Sequence, residues 1–100
     1  MGQGAWSRGR ESVLVFQTDL LNNEHPSTVI CPITANVEKE SEILRIHIKK
    51  GTAGLKFDSD VMIDQIRAID NRSLINKSGI LPKDLQLIVK ENIRIILDLD

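Results

Sequence analysis

The chain has 100 residues, enough for one domain with one hydrophobic core near the lower size limit for unaided folding. Thirteen basic and fourteen acidic residues give a formal net charge of −1, which excludes a globally basic surface of the kind that attracts phosphates. The 41% of hydrophobic residues include one Trp, two Phe and no Tyr, so few aromatic platforms are available for stacking on bases. Any nucleic-acid site must therefore be a local patch.

The side chains that carry chemistry exclude several kinds of site. The single cysteine, Cys31, can form no internal disulfide, and its apolar neighbours favour a buried thiol over a nucleophile, which would need His25 or His47 as a base. One cysteine and two histidines match no zinc spacing, and no nucleotide-binding motif is present, so we expect no metal and no cofactor. Without a membrane-length apolar run or a signal-peptide core, the sequence predicts a cytoplasmic protein with no membrane partner.

The first third of the chain predicts two buried strands after a flexible tail. Residues 1–10 hold three of the six glycines and show no hydrophobic period, so we expect a flexible segment, with residues 11–100 as a single domain. The apolar run from Val13 to Gln17 indicates a strand covered on both faces. Residues 19–26 collect turn formers and predict a loop, and residues 28–33 predict a second buried strand.

The middle of the chain predicts a polar loop over residues 34–41 and two further strands. Apolar residues alternate with polar ones from Leu44 to Lys49, which indicates a third strand with one solvated face, and a glycine-bounded turn follows at residues 51–54. The run 61–70 is rich in β-branched residues. Its isoleucines are three positions apart, as on a helix, yet its composition and the flanking turns favour a strand.

The last segment predicts an amphipathic helix over residues 82–97. Pro82 suits a first helical position, and Asp84 falls in the positively polarised first turn. The expected apolar stripe consists of Leu85, Ile88, Val89, Asn92, Ile93 and Ile96. Several short strands followed by one closing helix indicate a small β-barrel or an α+β domain.

Three motifs, in this order, resemble those of the MazF/PemK family of toxin endoribonucleases. Residues 13–22, VLVFQTDLLN, are similar to the family's strand VLVIQND and the loop after it. Residues 28–35, TVICPITA, are similar to the strand that runs into the family's active loop. Residues 60–70, DVMIDQIRAID, resemble the strand EQIRTID and are the most specific of the three. The resemblance extends over residues 12–98, nearly the whole chain.

This resemblance implies an α+β, mainly β fold: a small SH3-like β-barrel with a C-terminal α-helix, of the MazF/PemK/CcdB-like kind. It implies the toxin of a type II toxin-antitoxin system, working as a homodimer with a cognate acidic antitoxin. The implied activity is metal-independent, sequence-specific cleavage of single-stranded mRNA through attack by the ribose 2′-OH. Such a reaction needs only a base, an acid and a group that stabilises the charge of the pentavalent phosphate.

The family's functional residues carry over one at a time. Thr34 matches the threonine of the active loop, whose hydroxyl would bind the scissile phosphate; without the family, capping of the loop is the simpler interpretation. Gln65 matches a groove residue that reads a base edge, with a cross-strand hydrogen bond as the alternative. Arg45 and Gln17 are the other candidates for RNA binding, and for Arg45 a solvated face is the alternative.

The start of the chain departs from the family pattern. The family has an opening strand, which the sequence does not predict here, and an Arg-Pro pair directly before VLVIQ that supplies the acid or the electrostatic stabiliser. In register, Glu11 and Ser12 occupy those two positions, so Arg10 is the candidate catalytic arginine and reaches the place only by a one-residue slip. The alternative function is a catalytically impaired toxin homologue that binds only antitoxin or RNA. A small β-barrel interaction domain unrelated to RNA is a third interpretation.

Two structural expectations follow from the same comparison. A barrel without its opening strand leaves a sheet edge unpaired, so residues 1–10 are expected to be disordered or else recruited to cover that edge, with Trp6 docked on it. Arg67 and Asp70 lie in one predicted strand and are interpreted as a structural pair.

Overall fold

The computed structural model describes residues 3–16, 27–37 and 45–97. Gln17, the predicted loop 19–26 and residues 38–41 of the predicted loop 34–41 therefore lie outside the described residues. The strands are β1 (Gly4–Arg8), β2 (Glu11–Val15), β3 (Ser27–Thr34), β4 (Arg45–Ile48), β5 (Ser59–Met62), β6 (Arg67–Asp70) and β7 (Lys77–Ile80). Within these ranges one α-helix, α1 (Lys83–Leu97), follows the strands, and short 3-10 helices occupy Thr52–Gly54, Ile63–Gln65 and Asn71–Ser73.

Antiparallel pairings join the strands into one curled, half-barrel sheet with the order β4-β5-β3-β2-β1-β7, and β6 pairs with β3 outside this path. The long strand β3 is the centre of the sheet. β2 pairs along one of its edges, and the other edge is shared by β5 at its carboxyl end and β6 at its amino end. The predicted class, a mainly β, α+β fold with a small barrel-like sheet and a C-terminal helix, is confirmed.

The opening segment is a strand, and the prediction that this strand is missing was wrong. β1 pairs with β2 on one side and with β7 on the other. Gly9, with a φ of +61°, and Arg10 form the two-residue turn to β2, a geometry that glycine adopts at little cost. Trp6 packs on the cluster formed by Val13, Val15, Ile30 and Ile69. Residues 1–10 were expected either to be disordered or to cover the sheet edge with Trp6 docked on it. The pairing of β1 and the packing of Trp6 correspond to the second alternative.

The run 61–70, predicted as one strand, is divided into β5 and β6 by a 3-10 turn at Ile63–Gln65. The Ile66 N–H donates to the Ile63 carbonyl at 3.2 Å, which closes this turn. The division allows β5 and β6 to pair with opposite ends of β3, which one straight strand could not do. The three-residue spacing of the isoleucines was the signal of this turn.

At the C-terminal end, the helix predicted over residues 82–97 is confirmed as α1. Val89 and Ile93 are buried on its inner face, but Ile88, which was assigned to the apolar stripe, is 46% exposed. β7 was not predicted, because its sequence KSGI shows no alternation; it is a strand because β1 pairs with it. No helix of the described ranges is long and apolar enough to cross a bilayer.

Two hydrophobic clusters lie on opposite faces of the sheet. Leu14 and Cys31 belong to the larger one, which α1 covers through Val89 and Ile93. Val13 and Val15 point to the other face and belong to the smaller cluster. The continuously apolar run of β2 is thus buried on both sides, as its sequence predicts.

Cys31 is buried with a free thiol, as its apolar neighbours predict. Burial, with a smaller contribution from the carboxylate of Asp64, raises the pKa of this thiol from 9.0 to about 12. The thiolate is the reactive form of cysteine, so Cys31 is not suited to act as a nucleophile near neutral pH.

The raised pKa of Cys31 predicts a loss of stability in alkali. The folded protein keeps the thiol proton up to about pH 12, whereas the unfolded chain releases it near 9.0, so this contribution is complete below pH 9 and is lost as the pH rises towards 12. We expect the free energy of unfolding to fall by on the order of 1 kcal/mol per pH unit in that range through this group. Urea unfolding of wild type and Cys31→Ala at pH 8 to 11 measures it. Equal slopes for the two proteins would contradict the assignment.

Candidate functional site

Thr34 is the last residue of β3, where the chain leaves the sheet, and its side chain is half-buried. Its Oγ1 accepts the backbone N–H of Asn36 at 3.1 Å. A hydroxyl that accepts a hydrogen bond still has its own hydrogen to donate. The Thr34 hydroxyl is thus fixed in place as an acceptor and remains able to donate a hydrogen bond to a ligand.

Thr34 and Arg10, the two predicted catalytic residues, line the same cavity of about 530 Å³. Arg10 enters it from the β1–β2 turn, and Lys56 and Phe57 line it from the segment before β5. Ser78 of β7 contributes another part of the wall. A cavity with a hydroxyl, two cationic side chains and an aromatic ring fits a phosphate with an attached base.

A second cavity, of about 220 Å³, adjoins the first at Thr34, and it contains Gln65 and Arg67. Gln65 is exposed, and its amide lies 3.6 Å from the Met62 sulfur. Thr34, Ser12 and Glu11 line both cavities, so the two form one continuous depression. We call it the Thr34 groove. The predicted base-reading residue Gln65 and the predicted catalytic Thr34 therefore share one surface.

The Thr34 groove is lined by more cationic than acidic side chains. Arg10, Lys56 and Arg67 are cationic, and Glu11 is the acidic residue among those that line the two cavities. The Glu11 carboxylate lies 4.0 Å from the Arg8 guanidinium, which offsets part of its charge. The groove is consequently a local basic patch on a chain whose net charge is slightly negative.

Arg45, a candidate for RNA binding, does not line either cavity of the groove. Its guanidinium donates to the Asn36 carbonyl at 3.0 Å and to the Asp60 carboxylate at 3.5 Å. A direct contact between Arg45 and RNA remains a prediction. Gln17, the other candidate, lies outside the described residues.

The sequence did not predict a role for Asp60, which is named above only as the first residue of the motif 60–70. Asp60 is completely buried, and it contacts His47 Nδ1 at 2.5 Å as well as Arg45. In the register of the sheet it stands opposite Thr34 on one side and His47 on the other. An acidic residue flanked by the buried Ser59 and Val61 was the available signal, because a carboxylate in such a run needs a partner.

The ion pair expected within β6 has a different partner from the one predicted. Asp70 binds Arg72, with Oδ2 2.7 Å from the guanidinium, rather than Arg67. Hydrogen bonds from the Arg72 side chain and backbone lower the pKa of Asp70 to about 2. This arrangement leaves Arg67 directed to the groove, where it lines the cavity beside Gln65.

Comparison with known proteins identifies the family. The family model of the PemK-like, MazF-like toxins of type II toxin-antitoxin systems matches residues 2–97, and the chain belongs to this family. It is 31% identical over 96 residues to the Endoribonuclease EndoA of Bacillus subtilis (strain 168), which covers 96% of this chain and 83% of that protein. The resemblance inferred from the three motifs is thus confirmed, and the chain is a MazF/PemK toxin of a type II system and a homologue of an endoribonuclease.

Solved structures share the fold. The Mycobacterium tuberculosis toxin MazF-mt6 superimposes with a TM-score of 0.82 at 20% identity, covering 100% of this chain and 99% of that chain. A MazE-MazF structure from Deinococcus radiodurans gives a TM-score of 0.82 at 20% identity, covering 99% and 95%. At these identities the likeness establishes the fold, and the family model establishes that the matched region begins before β1.

Proposed function

We propose that the chain is a metal-independent endoribonuclease that cleaves single-stranded mRNA at specific sequences in the Thr34 groove. The observation that carries this proposal is that Thr34 and Arg10 line one cavity. Lys56 lines the same cavity and Arg67 lines the adjoining one, so both cavities that share Thr34 contain a cationic residue able to attract an RNA phosphate.

The proposed reaction uses the RNA's own nucleophile. The 2′ oxygen bonds to the adjacent phosphorus, the bond from phosphorus to the 5′ oxygen breaks, the 2′-OH proton passes to a base, and the leaving oxygen takes up a proton. The products are a 2′,3′-cyclic phosphate and a free 5′-OH. Thr34 donates to a non-bridging phosphate oxygen, and Arg10 stabilises the charge that grows in the transition state. Gln65 reads the edge of a nearby base through its amide.

We also propose a homodimer, an acidic antitoxin as the partner, and the cytoplasm as the compartment. The MazE-MazF structure from Deinococcus radiodurans and a mycobacterial endoribonuclease in complex with its cognate antitoxin have this fold, with TM-scores of 0.82 and 0.76. The cations of the Thr34 groove suit an acidic peptide as well as RNA. Leu87 and Ile95 are exposed on α1 and provide apolar surface for a protein interface.

Incubation of the purified protein with a long single-stranded RNA in the presence of a chelator tests the activity. We expect defined fragments with 5′-OH and cyclic phosphate ends, and we expect Thr34→Ala to remove them. Thr52→Ala is the matched control, because Thr52 is a half-buried threonine outside the groove. Fragments that persist in Thr34→Ala would exclude Thr34 from the reaction.

A second candidate function is an impaired toxin that binds RNA or antitoxin without cutting. The observation that favours it is the Glu11 carboxylate, which lines both cavities beside Thr34 and repels phosphate. Intact RNA with retained binding would support this candidate. Glu11→Arg, which restores an arginine at the family's position, would then be expected to produce cleavage.

Phe57 is expected to contribute to RNA affinity by stacking on a base. The residue is 66% exposed and lines the cavity, and its carbonyl accepts a hydrogen bond from Ser59 Oγ at 2.9 Å, which fixes its backbone. Stacking on an aromatic ring contributes roughly 1–3 kcal/mol, so Phe57→Ala should weaken binding of a single-stranded RNA about tenfold, and Phe57→Trp should preserve it. Fluorescence anisotropy with the Thr34→Ala background measures affinity without cleavage. Ile75→Ala, at a residue that is 58% exposed and lines neither cavity of the groove, should leave the affinity unchanged.

A further inference from the structure

Asp60 carries a carboxylate in a place where water does not reach it. The residue is 0% exposed on β5, with the Arg45 guanidinium 3.5 Å from Oδ2 and His47 Nδ1 2.5 Å from Oδ1. Burial of a charged group is unfavourable unless it is paired and hydrogen-bonded. Pairing of β4 with β5 is already provided by backbone hydrogen bonds, so strand association does not by itself explain an acidic residue here.

The register of the sheet places Asp60 beside the candidate catalytic hydroxyl. Thr34 of β3 and His47 of β4 are its direct partners on the two neighbouring strands. Directly paired residues of antiparallel strands project to the same face. Thr34, Asp60 and His47 therefore form a row on one face, whereas Ile46 and Val61 project into the core on the other.

Hydrogen bonds connect the Asp60 carboxylate to the Thr34 hydroxyl through Arg45 and Asn36. The Arg45 guanidinium, held by Asp60, also donates to the Asn36 carbonyl at 3.0 Å. The N–H of Asn36 donates to Thr34 Oγ1 at 3.1 Å. Arg45 thereby fixes the backbone of Asn36, and Asn36 fixes the oxygen of Thr34 in the orientation that leaves its hydrogen free for a phosphate.

We propose that Asp60 and Arg45 are positioning residues for the Thr34 hydroxyl, acting through the backbone of Asn36. The catalytic consequence rests on the proposed RNA cleavage, but the positioning itself is a property of the protein alone. Arg45 suits this role because one guanidinium nitrogen, Nη1, lies 3.0 Å from the Asn36 carbonyl and 3.5 Å from the Asp60 carboxylate, and the rigid guanidinium plane fixes the direction of its N–H bonds, which the rotating ammonium of a lysine does not.

Arg45→Lys separates positioning from charge compensation. It retains a cation for the buried Asp60 carboxylate but loses the planar group that directs Nη1 at the Asn36 carbonyl. Misplacement of a catalytic group can cost up to about 100-fold, so we expect kcat for RNA cleavage to fall roughly 10- to 100-fold with KM within about twofold of wild type. Arg94→Lys is the matched control, since Arg94 pairs with Glu91 at 3.2 Å on the exposed side of α1.

Amide hydrogen exchange at Asn36 provides a readout that does not depend on activity. We expect exchange of this N–H to accelerate roughly fivefold or more in Arg45→Lys, with Val61 unchanged, because the hydrogen bond to Thr34 Oγ1 opens more often. Asp60→Asn keeps the side-chain volume and an acceptor for Arg45, so exchange of the Asn36 N–H should accelerate by a smaller factor than in Arg45→Lys. This variant replaces Arg45→Lys in the test if the lysine variant does not fold. A wild type that cleaves no RNA would overturn the proposed function alone. Unchanged Asn36 exchange in both variants would overturn the positioning role.

Discussion

Arg10→Gln is expected to lower the rate of RNA cleavage by roughly 100- to 1,000-fold, the loss typical of removing one electrostatic stabiliser of a transition state. Arg10 and Thr34 line the same cavity, and Arg10 is exposed at a turn, so its loss should not destabilise the fold. The effect should fall on kcat more than on KM, because the stabilised charge develops only in the transition state. Single-turnover cleavage of a short RNA that contains the preferred sequence measures it.

Removal of the neighbouring Glu11 charge is expected to raise the rate of RNA cleavage rather than lower it. Glu11→Gln removes a negative charge that faces the same phosphate, so binding and cleavage should both increase. Arg72→Gln is the control for general loss of a guanidinium, because Arg72 is 90% exposed in its side chain and pairs with Asp70. If Arg10→Gln and Arg72→Gln gave the same rate, Arg10 would have no part in the reaction.

Gly54→Ala is expected to destabilise the protein by roughly 2–5 kcal/mol. Gly54 has a φ of +75°, and a Cβ placed on it would lie 2.2 Å from the Ser78 carbonyl oxygen and 2.8 Å from the Ser78 carbonyl carbon. Both atoms belong to the backbone of β7, so relief of the clash requires a shift of the backbone of β7 or of the turn at Gly54. Thermal and urea unfolding measure the change in stability.

Gly51→Ala separates the clash from the backbone strain. Gly51 has a φ of +91° and no heavy atom within 4 Å of the added Cβ, so strain alone remains, at about 1–2 kcal/mol. The difference between the stability losses of Gly54→Ala and Gly51→Ala then measures the cost of the clash with Ser78. Equal losses in the two variants would show that β7 does not pack against this turn as the structure has it.

The elements predicted correctly from the sequence are those with a strong local pattern. β2 and β3 are apolar enough to require burial on both faces, and α1 has an apolar stripe with a proline at its start. β1 lies between β2 and β7, and β7 is a strand because it pairs with β1, a contact between distant parts of the chain that no local pattern reveals. The 3-10 turn that divides β5 from β6 was visible only as a three-residue spacing that a strand assignment does not explain.

The candidate site was predictable to the extent that it follows a motif. Thr34 and Gln65 come from the family motifs and lie in one groove. Lys56 and Phe57 belong to no motif, and only the folded chain places them beside Thr34. Arg45 was noticed as a cation on a solvated strand face, but its engagement with Asp60 depends on the register between β4 and β5.

The pairing of β1 with β7 also determines when the groove can form during synthesis. Ser7 and Asn76 are hydrogen-bonded although they are 69 positions apart, and the cavity takes Ser7 and Arg10 from the first strands and Ser78 from the last. Contacts between residues so distant in the chain close slowly, and a chain made from its amino end cannot close them before residue 78 exists. A partly synthesised chain therefore has Thr34 but no complete cavity around it, so the RNA cleavage proposed for this cavity can begin only after β7 has been made.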